Sequence, residues 1–593
     1  MLSKPDPLNG SHHTNSSYSA ILQSRLFPFF LSAVLAATGV PYLVRTANID
    51  EGMYLLYAQQ LVDRGGKPYD DVVILKNPGI VIVHLLCYAL LHDPKTVLFL
   101  VRTLNWLLFA GSILGVYFIA KTVFSEKAGL FGAILFATTP AAGKLLINNT
   151  MEPGLIFFQT WSLFFAVRAL SPEIMSPGEK NRLFLVSGCF AALSFLFKET
   201  AALVVLFSLT FFLAWGFKER TRNQPWSPFM LYILGGILGS IPLLAFLLYY
   251  NCFWEFLNLK IGIISLIFAK AAGNEPSSSA VGPVDANYGK IFAESLSSFA
   301  EAPLLWIAGF LGLALLIANS KRSQITSIQI FTIGFCLSSI FGTLGSVLFN
   351  SGNVDRYLLP VIAILVVFSG NWLAIEFEER DTSGLLWFLS IWIGLIVITF
   401  FLVEGDADLG SPFRELLLIF QGGLLVGAII VKKSKARRFG SRIVTPAHLS
   451  LGLWGTILLA LFVASTLFSA QAANKGIQSY QEYFAVASYV ADRTADDEYI
   501  FSDVPIVLYL SQRRQAFNIT VMIRMSWRRY VNFSDIPRFV DAYSVNYVVL
   551  TDFFFLVFPE DVVEHFASNF KAVRRWDAGP NDYLRGAIYL RIQ

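Results

Sequence analysis

Charge is scarce in this chain. Only 15% of its 593 residues are Asp, Glu, Lys or Arg, where a soluble domain carries about 25%. That shortage excludes an ordinary soluble protein of this length. The formal net charge is only +4, so no nucleic-acid partner is expected. Cysteine is equally sparse. Cys87, Cys189, Cys252 and Cys336 are scattered with no Cys-x-x-Cys spacing, which excludes a zinc ribbon and a disulfide framework. The six histidines form no His-x-x-x-His pattern, and His12-His13 falls in a polar tail. No internal repeat and no low-complexity tract is visible. The stretch Ser3 to Ser24 is polar, and the first apolar run ends without a small-residue cleavage site. It reads as an uncleaved first span rather than a signal peptide.

Apolar residues are what the chain has in excess: 55% are hydrophobic and 15% aromatic. They fall in runs of the length that crosses a bilayer. The first is Leu26 to Val44, and later ones cover about 97–120, 128–147, 154–170, 183–197, 199–217, 228–249, 302–318, 326–348, 357–376, 384–403, 412–431 and 448–470. Residues 183–217 as one helix would exceed roughly 50 Å at 1.5 Å per residue. A hairpin with Lys198-Glu199 at its tip is expected instead. Gly79 to Leu91 is apolar but spans only about 20 Å of helix, so it reads as re-entrant or interfacial. The expected architecture is a polytopic α-helical membrane protein of about thirteen transmembrane helices, over residues 26–472, behind a polar tail at 1–25.

Lys and Arg counts orient the helices. If Gly79 to Leu91 does not span, the cytoplasmic loops collect Lys121, Lys127, Lys180, Arg182, Lys218, Arg220, Arg222, Lys321, Arg322 and the cluster Lys432 to Arg442. The N-terminus is then cytoplasmic, and the first loop, 45–96, lies on the outer side. The chain after about residue 472 lies on that side too. There it turns polar, and short β-type runs such as Tyr499-Ile500-Phe501 and Tyr547 to Leu550 alternate with helical stretches. Residues 473–593 read as a small α/β domain. Within the first loop, Met53 to Val62 is apolar at helical spacing and suits a short helix on the membrane surface.

On this topology several ionisable residues meet the outer face: Asp50, Glu51, Lys76, Arg102, Glu152, Lys198 and Arg356. Charges in a membrane bundle are costly, so they line cavities or pair with one another. Carboxylates followed by cations suit one reaction. A carboxylate takes a proton from an acceptor nucleophile, and cations neutralise a phosphate leaving group. Each residue also has a plain reading. Asp50-Glu51 suits the negative first turn of a helix. Lys76 and Arg102 suit interfacial anchors, Glu152 a helix cap, and Lys198 and Glu199 a local pair at a hairpin tip. Arg356 suits an ion pair with Asp355. The ordered set is more specific than any member. No cofactor is expected, although Asp50, Glu51 and Glu152 have the chemistry to hold a divalent ion.

The same residues carry a resemblance. Asp50-Glu51, then Pro68-Tyr69, Lys76-Asn77-Pro78-Gly79, Arg102, Asn149-Thr150-Met151-Glu152, Phe197-Lys198-Glu199 and Asp355-Arg356-Tyr357-Leu358-Leu359-Pro360 resemble integral-membrane GT-C glycosyltransferases. The branch is that of lipid A aminoarabinose transferase and protein O-mannosyltransferase, and the resemblance covers about residues 26–380. It implies a polyprenyl-phosphate sugar donor, an acceptor that is a glycan, lipid or protein, and a bacterial inner membrane. It implies Asp50 as general base with Glu51 beside it, and inversion at the anomeric carbon. Lys76, Arg102, Lys198 and Arg356 would bind the donor phosphate, and Glu152 would position acceptor or sugar. One departure stands out: relatives show Lys-Pro-Pro or Glu-Lys-Pro where this chain has Leu75-Lys76-Asn77-Pro78. A lipid-linked-sugar transporter is the competing reading. It predicts internal repeats and midplane charges, whereas here the charges collect at one face.

Overall fold

The computed structural model describes residues 26–37, 49–69, 77–139, 150–171, 176–218, 227–261, 303–319, 326–349, 354–378, 481–495, 497–515, 536–557, 559–577 and 585–592, with single positions at 40, 43, 74, 142 and 146. The expected spans at 384–403, 412–431 and 448–470, the polar tail and Lys76 lie outside these residues. So do the side chains of Asp50 and Arg356.

The N-terminal half is a helical bundle. Its helices are α1 (Phe27–Ala36), α2 (Ile49–Arg64), α3 (Gly79–Leu91), α4 (Pro94–Val123), α5 (Glu126–Thr138), α6 (Glu152–Leu170), α7 (Pro177–Phe197), α8 (Ala201–Lys218), α9 (Ser227–Gly239) and α10 (Ile241–Tyr249). α11 (Pro303–Asn319), α12 (Ser327–Phe349) and α13 (Val354–Glu378) follow. Pro94–Val123, Glu152–Leu170, Pro177–Phe197, Pro228–Tyr249 and Leu358–Ile375 are long and apolar enough to cross a membrane. The protein is an integral membrane protein. The first apolar run is helical over Phe27–Ala36, and most of the expected span beyond it lies outside the described residues.

Two local readings of the sequence reappear. Gly79–Leu91 is a 13-residue helix. It ends at His92 in the left-handed region (φ 55°), and Asp93 then caps α4 by accepting from the Thr96 amide at 2.8 Å. Lys198 to Thr200 breaks the chain between α7 and α8. A capping box at Ser176 and Glu179 starts α7.

Close helix packing follows from small residues. A Cβ at Gly188 would stand 2.0 Å from the Tyr232 carbonyl oxygen, and one at Gly235 would stand 1.9 Å from that of Leu185. α7 and α9 therefore meet backbone to backbone, as membrane helices do at small residues.

The C-terminal part is an α/β domain. Its sheet runs β2 (Arg514–Gln515), β1 (Tyr499–Ser502), β3 (Tyr547–Thr551), β5 (Arg585–Arg591), β4 (Phe570–Asp577). β1 is parallel to β2 and β3, while β5 is antiparallel to β3 and β4. Helices α14 (Pro505–Ser511), α15 (Ile536–Ala542), α16 (Asp552–Val557) and α17 (Glu560–Asn569) join the strands.

This domain docks on the first loop. Leu55, Leu56 and Ala58 of α2, Tyr88 of α3 and Val101 of α4 share one core with Ile506, Val507 and Leu508 of α14. The opposite side of α2 packs elsewhere: Met53, Tyr54, Tyr57 and Leu61 join Ile80, Val81, Met151 and Phe246. The expected surface helix is therefore a central one. Its apolar residues serve two cores, which explains why residues 51–59 are all buried.

Candidate active site

α2 begins at Ile49, so Asp50 and Glu51 lie in its first turn. The Glu51 side chain is fully buried, and so is that of Arg102. Arg102 donates from Nε to Glu51 Oε1 and from Nη2 to Oε2, each at 2.7 Å. Its Nη1 donates to the Leu43 carbonyl at 2.8 Å. This two-point fork is the strongest geometry available to the pair. It ties α2, α4 and the end of the first apolar run together. The sequence reading gave Glu51 a catalytic part and Arg102 a place among the phosphate cations. In the fold each neutralises the other, away from solvent.

A second buried pair lies at the hairpin tip. Lys198 Nζ donates to Glu152 Oε1 at 2.8 Å. Glu152 is 0% exposed and Lys198 only 6%. Gly154 builds this spot, because a Cβ there would stand 2.3 Å from the Phe197 ring. The ring thus lies on the first turn of α6 and sets the next residue, Lys198, over Glu152. The start of α3 closes on the same place. Asn77 Nδ2 donates to the Phe195 carbonyl at 2.5 Å, and a Cβ at Gly79 would stand 2.7 Å from the Leu196 oxygen. Met151, beside Glu152, packs with Met53, Tyr54 and Tyr57 of α2. The helix that carries Asp50 and the tip that carries Lys198 are therefore neighbours through one core.

Where the plain reading paired Lys198 and Glu199 with each other, the described ion pairs run from both to other elements. Glu199 takes Lys260, and Glu255 takes Lys67 of the first loop. Both cross-links come from a helical segment at residues 253–261, reached from α10 through Asn251 in the left-handed region (φ 48°). Tyr69 sits among them with φ 69°. An aromatic residue there costs about 1–3 kcal/mol of backbone strain. Burial, reinforced by the nearby Cys252 and Glu199, pushes its phenol well above the ordinary value. Its ring meets Phe256 edge-on, 5.4 Å between centroids.

Among the described residues no group of three or more His, Cys, Asp or Glu side chains gathers to hold a metal. Two of the three carboxylates considered for such a site, Glu51 and Glu152, face cations instead. The Gly52 approach is a further feature that residue-by-residue reading missed. A Cβ at Gly52 would stand 2.6 Å from the Ile506 amide nitrogen and 2.9 Å from the Ile506 Cβ. The C-terminal domain thus touches α2 one turn or less from Asp50. Only the glycine two residues after the acid was visible in the sequence, and a glycine inside a helix marks a close approach.

The overall fold is shared with known proteins. Residues 78–249 match the family model of dolichyl-phosphate-mannose-protein mannosyltransferase. ArnT from Cupriavidus metallidurans, solved bound to undecaprenyl phosphate, is similar with a TM-score of 0.59 at 15% identity, over 95% of this chain and 97% of that one. The fold is GT-C. The oligosaccharyltransferase of Archaeoglobus fulgidus, solved tethered to an acceptor peptide containing the NVT sequon, is also similar. Its TM-score is 0.52 at 11% identity, over 96% of this chain and 74% of that one. No match was found among curated proteins.

Proposed function

We propose that this protein is a membrane glycosyltransferase that moves a sugar from a polyprenyl-phosphate donor to an acceptor on the non-cytoplasmic side of a bacterial inner membrane. The observation that carries this reading is the end-to-end fold similarity to ArnT, a protein solved with undecaprenyl phosphate in place. The buried charges give it chemical content. Asp50, in the first turn of α2, is the general base. As the acceptor nucleophile attacks the anomeric carbon, its proton passes to the Asp50 carboxylate. The bond from that carbon to the phosphate oxygen breaks, the electron pair leaves with the lipid phosphate, and the configuration inverts.

Lys198 receives the leaving phosphate. An ammonium has three N–H donors, and Glu152 takes one of them here. Glu152 thereby fixes the cation rather than contacting the sugar itself. Arg356 and Lys76 are further phosphate cations in this reading. Arg102 holds Glu51, and through it the first turn of α2, at a fixed place; this replaces the direct roles first considered for both. The acceptor is a glycan, a lipid or a protein.

The test is sugar transfer from an undecaprenyl-phosphate sugar by Asp50→Asn, Lys198→Ala and Arg356→Ala, each checked for normal membrane insertion. Near-complete loss is expected for Asp50→Asn and large losses for the other two. Retained transfer in all three variants rejects the site.

A further inference from the structure

Tyr69 and the two ion pairs around it have no part in the transfer scheme above. The Tyr69 hydroxyl is buried and has no hydrogen-bond partner among the described residues. A buried hydroxyl in that state is unfavourable until a partner arrives. The backbone at Tyr69 is held in the left-handed region, an unfavourable conformation for an aromatic residue, and such conformations collect at ligand sites. Around the phenol stand Phe256, whose ring it meets edge-on, and Glu199, close enough to act on it electrostatically. Lys260 lies 5.5 Å from the centre of the Phe256 ring and pairs with Glu199. Lys67, two residues before Tyr69, pairs with Glu255.

The chemistry of this cluster selects its ligand. Among the described residues two lysines balance two glutamates, so these groups give no excess positive charge to attract a phosphate. The carboxylates are each taken by an ammonium, which does not suit a metal ion. What remains is a phenol hydroxyl that can donate and accept, carboxylate oxygens that accept, and aromatic rings. A sugar ring matches that set, with hydroxyls that donate and accept around its edge and C–H groups on its faces.

The location narrows the choice further. Glu199 directly follows Lys198 in sequence. Cys252 belongs to the core that Met53, Tyr54 and Tyr57 of α2 help to form, one or two turns beyond Asp50, and Tyr69 and Phe256 pack against that core. The cluster thus adjoins the proposed phosphate cation in sequence and shares a core with the helix of the proposed base, a setting that suits the sugar of a lipid-phosphate donor. The geometry points to Tyr69 as a donor-sugar residue whose hydroxyl hydrogen-bonds a hydroxyl of the transferred sugar, with Glu199 accepting from the same ring. This rests on the transfer reading above, because it takes Asp50 and Lys198 as the two ends of the donor site.

The test is equilibrium binding, without turnover, by the full-length protein in nanodiscs. The probes are bare undecaprenyl phosphate and undecaprenyl phosphate carrying mannose, glucose or arabinose. Wild type binds at least one sugar-bearing lipid more tightly than the bare lipid. Tyr69→Phe weakens that binding about 3- to 10-fold, the worth of one hydrogen bond, and leaves bare-lipid binding unchanged. Glu199→Gln acts in the same direction. Thermal stability of unliganded Tyr69→Phe is equal to or above that of wild type, because the hydroxyl has no partner among the described residues to lose. A Tyr69→Phe variant that weakens both classes of lipid equally, or neither, overturns the assignment. So does a wild-type protein with no preference for a sugar-bearing lipid. Failure to bind even bare undecaprenyl phosphate overturns the transfer reading itself, and is distinguishable from both.

Discussion

Breaking the Glu51–Arg102 pair offers a quantitative test of how the first-loop helix is held. Both side chains are fully buried. Arg102→Met removes the cation that both Glu51 oxygens accept from, and Glu51→Leu removes the carboxylate from the buried guanidinium. Removing one partner of a buried pair costs about 3–5 kcal/mol. Arg102→Met also leaves the Leu43 carbonyl without the Nη1 donor, which adds about 1–3 kcal/mol. The double variant Glu51→Leu/Arg102→Met leaves neither of these two charges facing the loss of the other, so the largest cost of each single change is absent. The two effects are therefore strongly non-additive, and the double variant is more stable than either single one. The assay is an unfolding titration of the full-length protein in mixed micelles, run as a double-mutant cycle. Transfer per folded molecule is measured beside it. The double variant keeps measurable transfer because neither residue performs chemistry in this scheme. Additive losses would refute the coupling. Transfer as low as that of Asp50→Asn would return Glu51 to the catalytic set.

Two further predictions follow from the C-terminal domain. Gly52→Ala drives a methyl into the Ile506 backbone and displaces the turn that carries Asp50, so kcat falls about tenfold or more while affinity for bare undecaprenyl phosphate is kept; misplacement of about 1 Å costs a rate on the order of 100-fold. An unchanged kcat would show that the α2–α14 contact does not set the base. Asp503 accepts from the Thr551 amide at 2.9 Å and from the Thr551 hydroxyl, yet burial dominates and raises its carboxyl from 3.8 to about 7. Between pH 4 and pH 7 the folded state therefore holds a proton that the unfolded state has released. Its stability contribution is full below pH 4, is lost as pH rises through 7, and is constant above that. Hydrogen exchange at the β1 and β3 amides of the full-length protein, corrected for intrinsic rates, reads this slope. Asp503→Asn flattens it, and an unaltered slope in that variant places its origin elsewhere.

Much of the bundle was legible because membrane helices announce themselves locally. The break at Lys198 follows from helix length against bilayer thickness, and the 13 residues of α3 from the same arithmetic. The short β runs at Tyr499 and Tyr547 became parallel neighbours in one sheet. The ionisable residues of the candidate site stood out as a set, because so few charges exist in this chain. Their partners did not. Glu51 meets Arg102, Glu152 meets Lys198 and Glu199 meets Lys260 across distances in sequence that periodicity does not encode. α2 misled for a related reason. Its apolar pattern suited one buried face against a membrane, and only the folded chain supplies α14 as cover for the other. Gly52 and Tyr69 became informative only once Ile506 and Phe256 stood beside them.

The central claim is that a sugar leaves a polyprenyl phosphate with Asp50 as the base, and single-turnover transfer from labelled undecaprenyl phosphate mannose, glucose or arabinose tests it directly. The account predicts transfer by the wild-type protein with inversion at the anomeric carbon, and none above background by an Asp50→Asn protein that still binds the lipid. Transfer at the wild-type rate by that variant, or retention of configuration in the product, would contradict it.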